Sequence, residues 1–217
     1  MATNPSFSWE RFYKAPIVGI IRGLPTDTVL SITQVYQDAG LHTLEITMNT
    51  PSVAEIISLL REKFPDMNIG AGTVCTLDDL TNALDAGAQF IVTPILDEQV
   101  VKHAVAQQIP IFPGAYSPTE IYQAWSWGAS AVKIFPATQL GVQFIKDVLA
   151  PLNEIKLLPT GGVSLGNIRS FFAAGAVGVG MGSSLLDKQL IKEGDFVGLK
   201  QHFIQIRNEI QDFTSSK

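Results

Sequence analysis

The stretch "DAGAQFIVT" (residues 85–93) ends one kind of structure and begins another. A polar, helix-like run stops at a glycine, and an apolar segment follows at once. Glycine just past a helix end supplies the left-handed conformation that closes the last turn. The same grammar recurs in "DAGLHTLEI" (38–46), "WGASAVKI" (127–134) and "AAGAVGVGM" (173–181). The glycines are Gly40, Gly87, Gly128 and Gly175, spaced by 47, 41 and 47 residues, room for two strand–helix units in each interval.

Four more strand candidates accompany them, one before the first glycine and one in each interval: "PIVGIIRG" (16–23), "NIGAGT" (68–73), "IPIFPG" (109–114) and "IKLLPTG" (155–161). Helix starts follow most of the strands. "TLDD" from Thr76 resembles a capping box, and "SPTE" from Ser117 is a fuller one, with Pro118 at the first helical position and Glu120 at the third. Eight strands alternating with about eight helices predict an α/β fold, a single (β/α)8 TIM barrel over residues 1–217. An extra N-terminal helix is expected over residues 1–14 and a closing helix over 194–213. A doubly wound open sheet is the alternative.

Composition excludes several classes of function. Hydrophobic residues make up 46% and charged residues 16%, which excludes a disordered chain. The net charge of −5 gives no global attraction for nucleic acid or an anionic membrane. A single cysteine, Cys75, rules out an intramolecular disulfide and fits a reducing cytoplasm. The N-terminal segment has no apolar signal-peptide core, and no apolar run approaches the ~20 residues of a membrane span. The expectation is a cytoplasmic protein with no nucleic-acid or membrane partner.

The repeat also sets a register. The fifth residue past each glycine is Glu45, Val92, Lys133 or Gly180, on the second, fourth, sixth and eighth strands. Alternate strands of such a barrel fill the same interior layer, so these four face inward at similar height, with Glu45 opposite Lys133. A buried structural ion pair is one reading. Neighbouring features favour chemistry. The seventh strand runs into "TGGVS" (160–164) and the eighth into "MGSSLL" (181–186), loops rich in bare backbone N–H groups where this fold binds phosphate. Arg22 closes the first strand at the same face. A lysine kept neutral by burial attacks carbonyl carbon to form a Schiff base, and Glu45 is placed to shuttle the protons. Lysine, carboxylate and phosphate loops together describe a class I aldolase site.

The chain resembles the bacterial 2-keto-3-deoxy-6-phosphogluconate / 4-hydroxy-2-oxoglutarate (KDPG/KHG) aldolases from about residue 16 to 210. The likeness rests on "GIIRG", "LEITMNTP", "IGAGTV", "FIVTPILDE", "PIFPGAYSPTE", "VKIFPA", "LPTGGVS" and "GVGMGSSL", in order. It implies Lys133 as the Schiff-base lysine and Glu45 as the general acid/base. It assigns Arg22 and Thr73 to the keto-acid carboxylate region and Pro94 and Phe135 to the pocket wall. Gly161, Gly162, Gly182, Ser183 and Ser184 fall in the phosphate loops. It implies a homotrimer that uses no cofactor and no metal. The implied reaction is cleavage of 2-dehydro-3-deoxy-6-phosphogluconate to pyruvate and glyceraldehyde 3-phosphate. 4-Hydroxy-2-oxoglutarate and the 6-phosphogalactonate epimer are further candidate substrates. Asn49 stands where gluconate-type members carry arginine and so resembles the galactonate branch, whereas Thr160 resembles the gluconate branch.

Plainer roles attach to other residues. Cys75 reads as a small buried residue, His42, His103 and His202 as helix-end or helix-face residues, and Trp9, Trp125 and Trp127 as packing. Asp78 and Asp79 favour the dipole of the helix they open. Two other readings keep the same pocket: a metal-free isomerase or decarboxylase with Lys133 as proton donor, and a phospho-sugar acid binding protein without turnover.

Overall fold

A computed structural model of the chain describes residues 6–214. Its strands are β1 (Ile17–Ile21), β2 (Thr43–Thr47), β3 (Asn68–Gly72), β4 (Ile91–Val92), β5 (Ile111–Phe112), β6 (Gly114–Ala115), β7 (Val132–Ile134), β8 (Leu157–Pro159) and β9 (Val179–Met181). The helices are α1 (Trp9–Lys14), α2 (Thr26–Asp38), α3 (Val53–Lys63), α4 (Leu77–Asp85), α5 (Glu98–Ala106), α6 (Pro118–Ser126), α7 (Ala137–Leu149), α8 (Ile168–Ala173), α9 (Lys188–Glu193), α10 (Phe196–Asn208) and α11 (Gln211–Thr214). The fold is α/β with parallel strands, as expected.

The four glycines of the repeat all adopt positive φ, between 80° and 103°. In each case the next residue's N–H reaches the carbonyl five residues back: Leu41 to Tyr36, Ala88 to Ala83, Ala129 to Ala124 and Ala176 to Phe171. This closure turns the chain from helix to strand at a fixed offset, which is why the register could be counted from the glycine. Both capping boxes are formed, Thr76 with Asp79 and Ser117 with Glu120.

The strand expected at 109–114 is divided. Pro113 has no N–H to donate, so pairing stops there and resumes at Gly114. β5 ends a six-stranded sheet of order β5-β4-β3-β2-β1-β9, and β6 begins a three-stranded one of order β6-β7-β8. The Pro113 carbonyl still accepts from the Lys133 N–H at 2.9 Å. A parallel bridge between Thr160 and Gly180 links the end of β8 to β9.

Two apolar clusters show which way each strand residue faces. Leu44, Ile46, Ile91, Val132, Ile134, Val179 and Met181 pack outward with the helices. Tyr36 of α2 is fully buried there, its hydroxyl donating to the carbonyls of Ile17 or Thr43 at 3.2 and 3.1 Å. Val18, Phe90, Val92, Phe112, Ala131 and Leu158 form the inner cluster with Phe7 and Phe12. The N-terminal helix and the residues just before it therefore seal one end of the inner face with aromatic rings. The helix is shorter than expected, beginning at Trp9, and residues 1–5 of the predicted helix lie outside the described residues. Asn68 of β3 anchors it by accepting from the Ser8 N–H at 2.8 Å and donating to the Ser8 carbonyl at 2.9 Å.

Candidate active site

With one end of the inner face plugged, polar residues of the inner rows sit towards the other. Outward Leu44 and Ile46 flank Glu45, and outward Val132 and Ile134 flank Lys133. Glu45 and Lys133 are 1% and 5% exposed. Gly72 makes the carboxylate fit, because a Cβ there would stand 2.1 Å from Glu45 Oε1. Glu45 Oε2 is buried without a hydrogen-bond partner. Burial pushes the Glu45 pKa up to about 7, against the pull of the Lys133 and Arg22 charges. Burial holds the Lys133 ammonium below the usual lysine range, opposed by Glu45 and reinforced by Arg22. No ion pair joins the two side chains among the described residues. That weighs against a purely structural pair, which needs close, well-satisfied contacts to offset its desolvation. Lys133 Nζ instead lies 4.8 Å from the centroid of the Phe135 ring.

A cavity of about 730 Å³ lies next to residues that touch or pair with Lys133 and Glu45, though neither of the two lines it. Phe135 lines it, as does Ile20, the register partner of Glu45. Arg22, Thr160 and both glycine loops, at Gly161–Gly162 and Gly182–Ser184, complete the expected wall. Asn49, Thr73 and Pro94 do not line it. Asn49 is exposed on the turn after β2. Thr73 holds a φ of 58°, an uncommon strained geometry for a β-branched residue. The Pro94 backbone fills the space left by Gly114, where a Cβ would be 2.5 Å from the Pro94 carbonyl carbon.

The two loops are tied together. Asn167 donates to the Gly162 carbonyl at 2.9 Å and accepts from the Ser164 N–H at 2.8 Å. The Ser184 hydroxyl donates to the Val163 carbonyl, so it staples loop to loop, and His202 Nε2 stands 3.0 Å from the Ser184 carbonyl oxygen. Gly180 leaves room for Thr160, whose Oγ1 would lie 2.4 Å from a Cβ there. The helices after these loops are only six residues each, so exposed backbone N–H groups, not helix dipoles, are what the loops offer an anion.

Several contacts were not anticipated. Cys75 is half-buried and close enough to Lys133 for their charges to influence each other; burial, then Asp79, raises its thiol pKa. Thr50 accepts from the Gly23 N–H at 3.0 Å, and Thr47 Oγ1 lies 3.1 Å from Thr50 Oγ1. This buried pair fixes the turn that carries Arg22. Thr50→Val keeps the shape but leaves the Gly23 N–H unpaired. KM for a 2-keto acid is expected to rise about 5-fold with kcat less affected, the cost of losing one hydrogen bond that holds the turn. Steady-state kinetics check it, and an unchanged KM would remove Thr50 from the positioning of Arg22. Lys188 and Lys192 also line the cavity.

This architecture and this buried lysine–carboxylate arrangement are those of an α/β aldolase. Residues 9–202 match the sequence profile of the family described as KDPG and KHG aldolase. The chain is 37% identical over 188 residues to a 2-dehydro-3-deoxy-phosphogluconate aldolase of Haemophilus influenzae, covering 86% of this chain and 89% of that one. It is 35% identical over 174 residues to the 2-dehydro-3-deoxy-6-phosphogalactonate aldolase of Escherichia coli, covering 79% and 85%. Its fold superposes with a TM-score of 0.84 on a KDPG aldolase from Legionella pneumophila, solved with pyruvate as a covalent carbinolamine intermediate, at 27% identity over 91% of this chain and 96% of that one. The chain belongs to the KDPG and KHG aldolase family. No helix among the described residues is long and apolar enough to cross a membrane.

Proposed function

We propose that this chain is a Schiff-base aldolase that cleaves 2-dehydro-3-deoxy-6-phosphogluconate, and its galactonate epimer, to pyruvate and glyceraldehyde 3-phosphate. The observation that carries the reading is Lys133: buried, held below its usual pKa, unpaired with Glu45 and set against Phe135, which lines a cavity flanked by two glycine loops. The neutral amine attacks C2 of the keto acid. Loss of water gives an iminium, which withdraws electrons from C3. Glu45 takes the proton of the C4 hydroxyl, the C3–C4 bond breaks, and the aldehyde leaves. The remaining enamine takes a proton at C3, and water returns to release pyruvate and the free lysine. A carboxyl group titrating near 7 suits both directions of that transfer.

Arg22, helped by Thr73 and Asn49, receives the substrate carboxylate. Phe135 walls the reacting carbons and Thr160 faces the sugar hydroxyls, both from the cavity wall; the parts given to Pro94, Thr73 and Asn49, which do not line the cavity, rest on family likeness. Backbone N–H groups at Gly161, Gly162, Gly182, Ser183 and Ser184 receive the phosphate. The whole chain, 1–217, is read as one (β/α)8 barrel, a closure supported by the Thr160–Gly180 bridge and the Lys133–Pro113 hydrogen bond. A cytoplasmic homotrimer completes the reading: the compartment rests on the single cysteine and the apolar pattern of the sequence, the trimer on family likeness alone.

Borohydride reduction in the presence of pyruvate tests it. The expected result is one pyruvyl adduct, mapped by peptide mass to Lys133, from a protein that also releases pyruvate from both 6-phosphate epimers. An adduct elsewhere, or none, overturns the assignment of Lys133. An adduct without pyruvate release from either epimer leaves a binding protein.

A further inference from the structure

Two lysines with no part in the aldol chemistry line the same cavity as the glycine loops. Lys188 opens α9 and Lys192 lies one turn later. Residues four apart share a helix face, where like charges repel. Neither lysine is in an ion pair among the described residues. The acids beside them keep their charges but hydrogen-bond elsewhere and do not line the cavity. Asp187 accepts from the Gln189 and Leu190 N–H groups at 2.8 and 3.0 Å, and Glu193 is held by the Gln189 amide. Arg22 lines the cavity too, while no aspartate or glutamate among the described residues does. The chain carries a net charge of −5, so this wall is positive against the field of the molecule as a whole. Between the cations the wall is apolar, with Leu24, Leu186 and Ile191, which strengthens their field.

We propose that Lys188 and Lys192 form a charge-selective arm of the substrate site, recognising a dianionic phosphoryl end and favouring it over a carboxylate. This rests on the aldolase reading above and deepens it. The glycine loops are neutral donors that hydrogen-bond an oxyanion of either kind. A pair of lysines responds to total charge, about −1.5 to −2 for a phosphate monoester at pH 7 against −1 for a carboxylate. The loops thus supply fit, and the lysines supply the preference for phosphate over a dicarboxylic acid such as 4-hydroxy-2-oxoglutarate.

The test is the double variant Lys188→Gln/Lys192→Gln, read as a ratio. The numerator is kcat/KM for 2-dehydro-3-deoxy-6-phosphogluconate at low salt, and the denominator is the rate of borohydride trapping of pyruvate, which has no distal anion. The ratio is expected to fall about 10-fold, and the salt dependence of the numerator to flatten. Lys188→Arg/Lys192→Arg should recover most of the ratio, and inhibition by inorganic phosphate should weaken in the glutamine variant. An unchanged ratio and salt slope, with the unmodified protein cleaving the phosphorylated substrate, overturns the lysine arm and leaves the aldolase reading intact. Failure of the unmodified protein to trap pyruvate or cleave the substrate overturns both.

Discussion

Lys133→Met is expected to abolish aldol cleavage, with kcat down by about 10⁴-fold or more, while the protein melts no lower than before. The first half follows from the chemistry. Methionine follows the lysine stem but ends one atom short, without the amine, so no iminium forms and no electron sink exists for the C3–C4 bond. A loss of ~10⁴-fold corresponds to about 5 kcal/mol of transition-state stabilisation. The second half follows from burial. Lys133 is 5% exposed, and burial already works against its charge. An apolar isostere removes that penalty. Glu45 then loses the larger of the two charges drawing its pKa down, which shifts it further toward the neutral form that burial favours. Pyruvate release and thermal melting measured on one preparation decide the matter. Residual turnover within about 10-fold of the unmodified protein would mean another group does the chemistry. A large drop in melting temperature would mean Lys133 holds the fold together, and the structural ion-pair reading would return.

How much of this was legible beforehand depends on the range of the physics involved. The Gly40, Gly87, Gly128 and Gly175 turns are closed by hydrogen bonds spanning five residues, so their signature lies in adjacent letters. The inward register of Glu45 and Lys133 follows from those turns and the two-residue period of a strand. The same holds for the boxes at Thr76 and Ser117. What escaped was set by contacts between distant segments. The Gly23–Thr50 bond spans 27 residues, and the Ser184 staple to Val163 spans 21. Cys75 has no histidine near it in sequence, yet the fold brings it within electrostatic reach of Lys133. Lys188 and Lys192 carry the spacing of any solvated helix face, and only the cavity beside them distinguishes them. The division at Pro113 was readable in principle, since proline removes a ladder donor, but the chain direction continues through it. Gly72 illustrates both ranges: "GAGT" marks a strand end locally, while its reason, the Glu45 carboxylate 2.1 Å from an absent Cβ, belongs to the neighbouring strand.

Glu45→Gln is expected to lower turnover by about 100-fold or more and, at the same time, to stabilise the fold in a pH-dependent way. Glutamine keeps the shape beside Gly72 but neither accepts nor returns a proton, so the C4 hydroxyl loses its base and the enamine its acid. Imine formation with pyruvate should persist in part, because the lysine remains. The stability effect has a definite sign. The folded-state pKa of Glu45 is raised to about 7 from 4.5, with burial as the leading cause. A raised carboxyl pKa contributes stability that is present in full below the unfolded value of 4.5 and is lost as pH rises through about 7. The unmodified protein therefore bears a growing cost between pH 5 and pH 8, and the glutamine variant does not. The gain from the substitution is expected to be ~2 kcal/mol larger at pH 8 than at pH 5. For a chain of this size that is roughly 4–8 °C in melting temperature. Melting curves at the two pH values, taken with kcat, separate the possible roles. Full turnover would show that Glu45 carries no proton in the reaction. A gain of equal size at both pH values would show that Glu45 does not titrate in this window, and the pH range in which it serves as acid and base would have to be redrawn. Lost turnover together with a gain that grows with pH is the outcome that a buried, unpartnered carboxyl kept for chemistry requires.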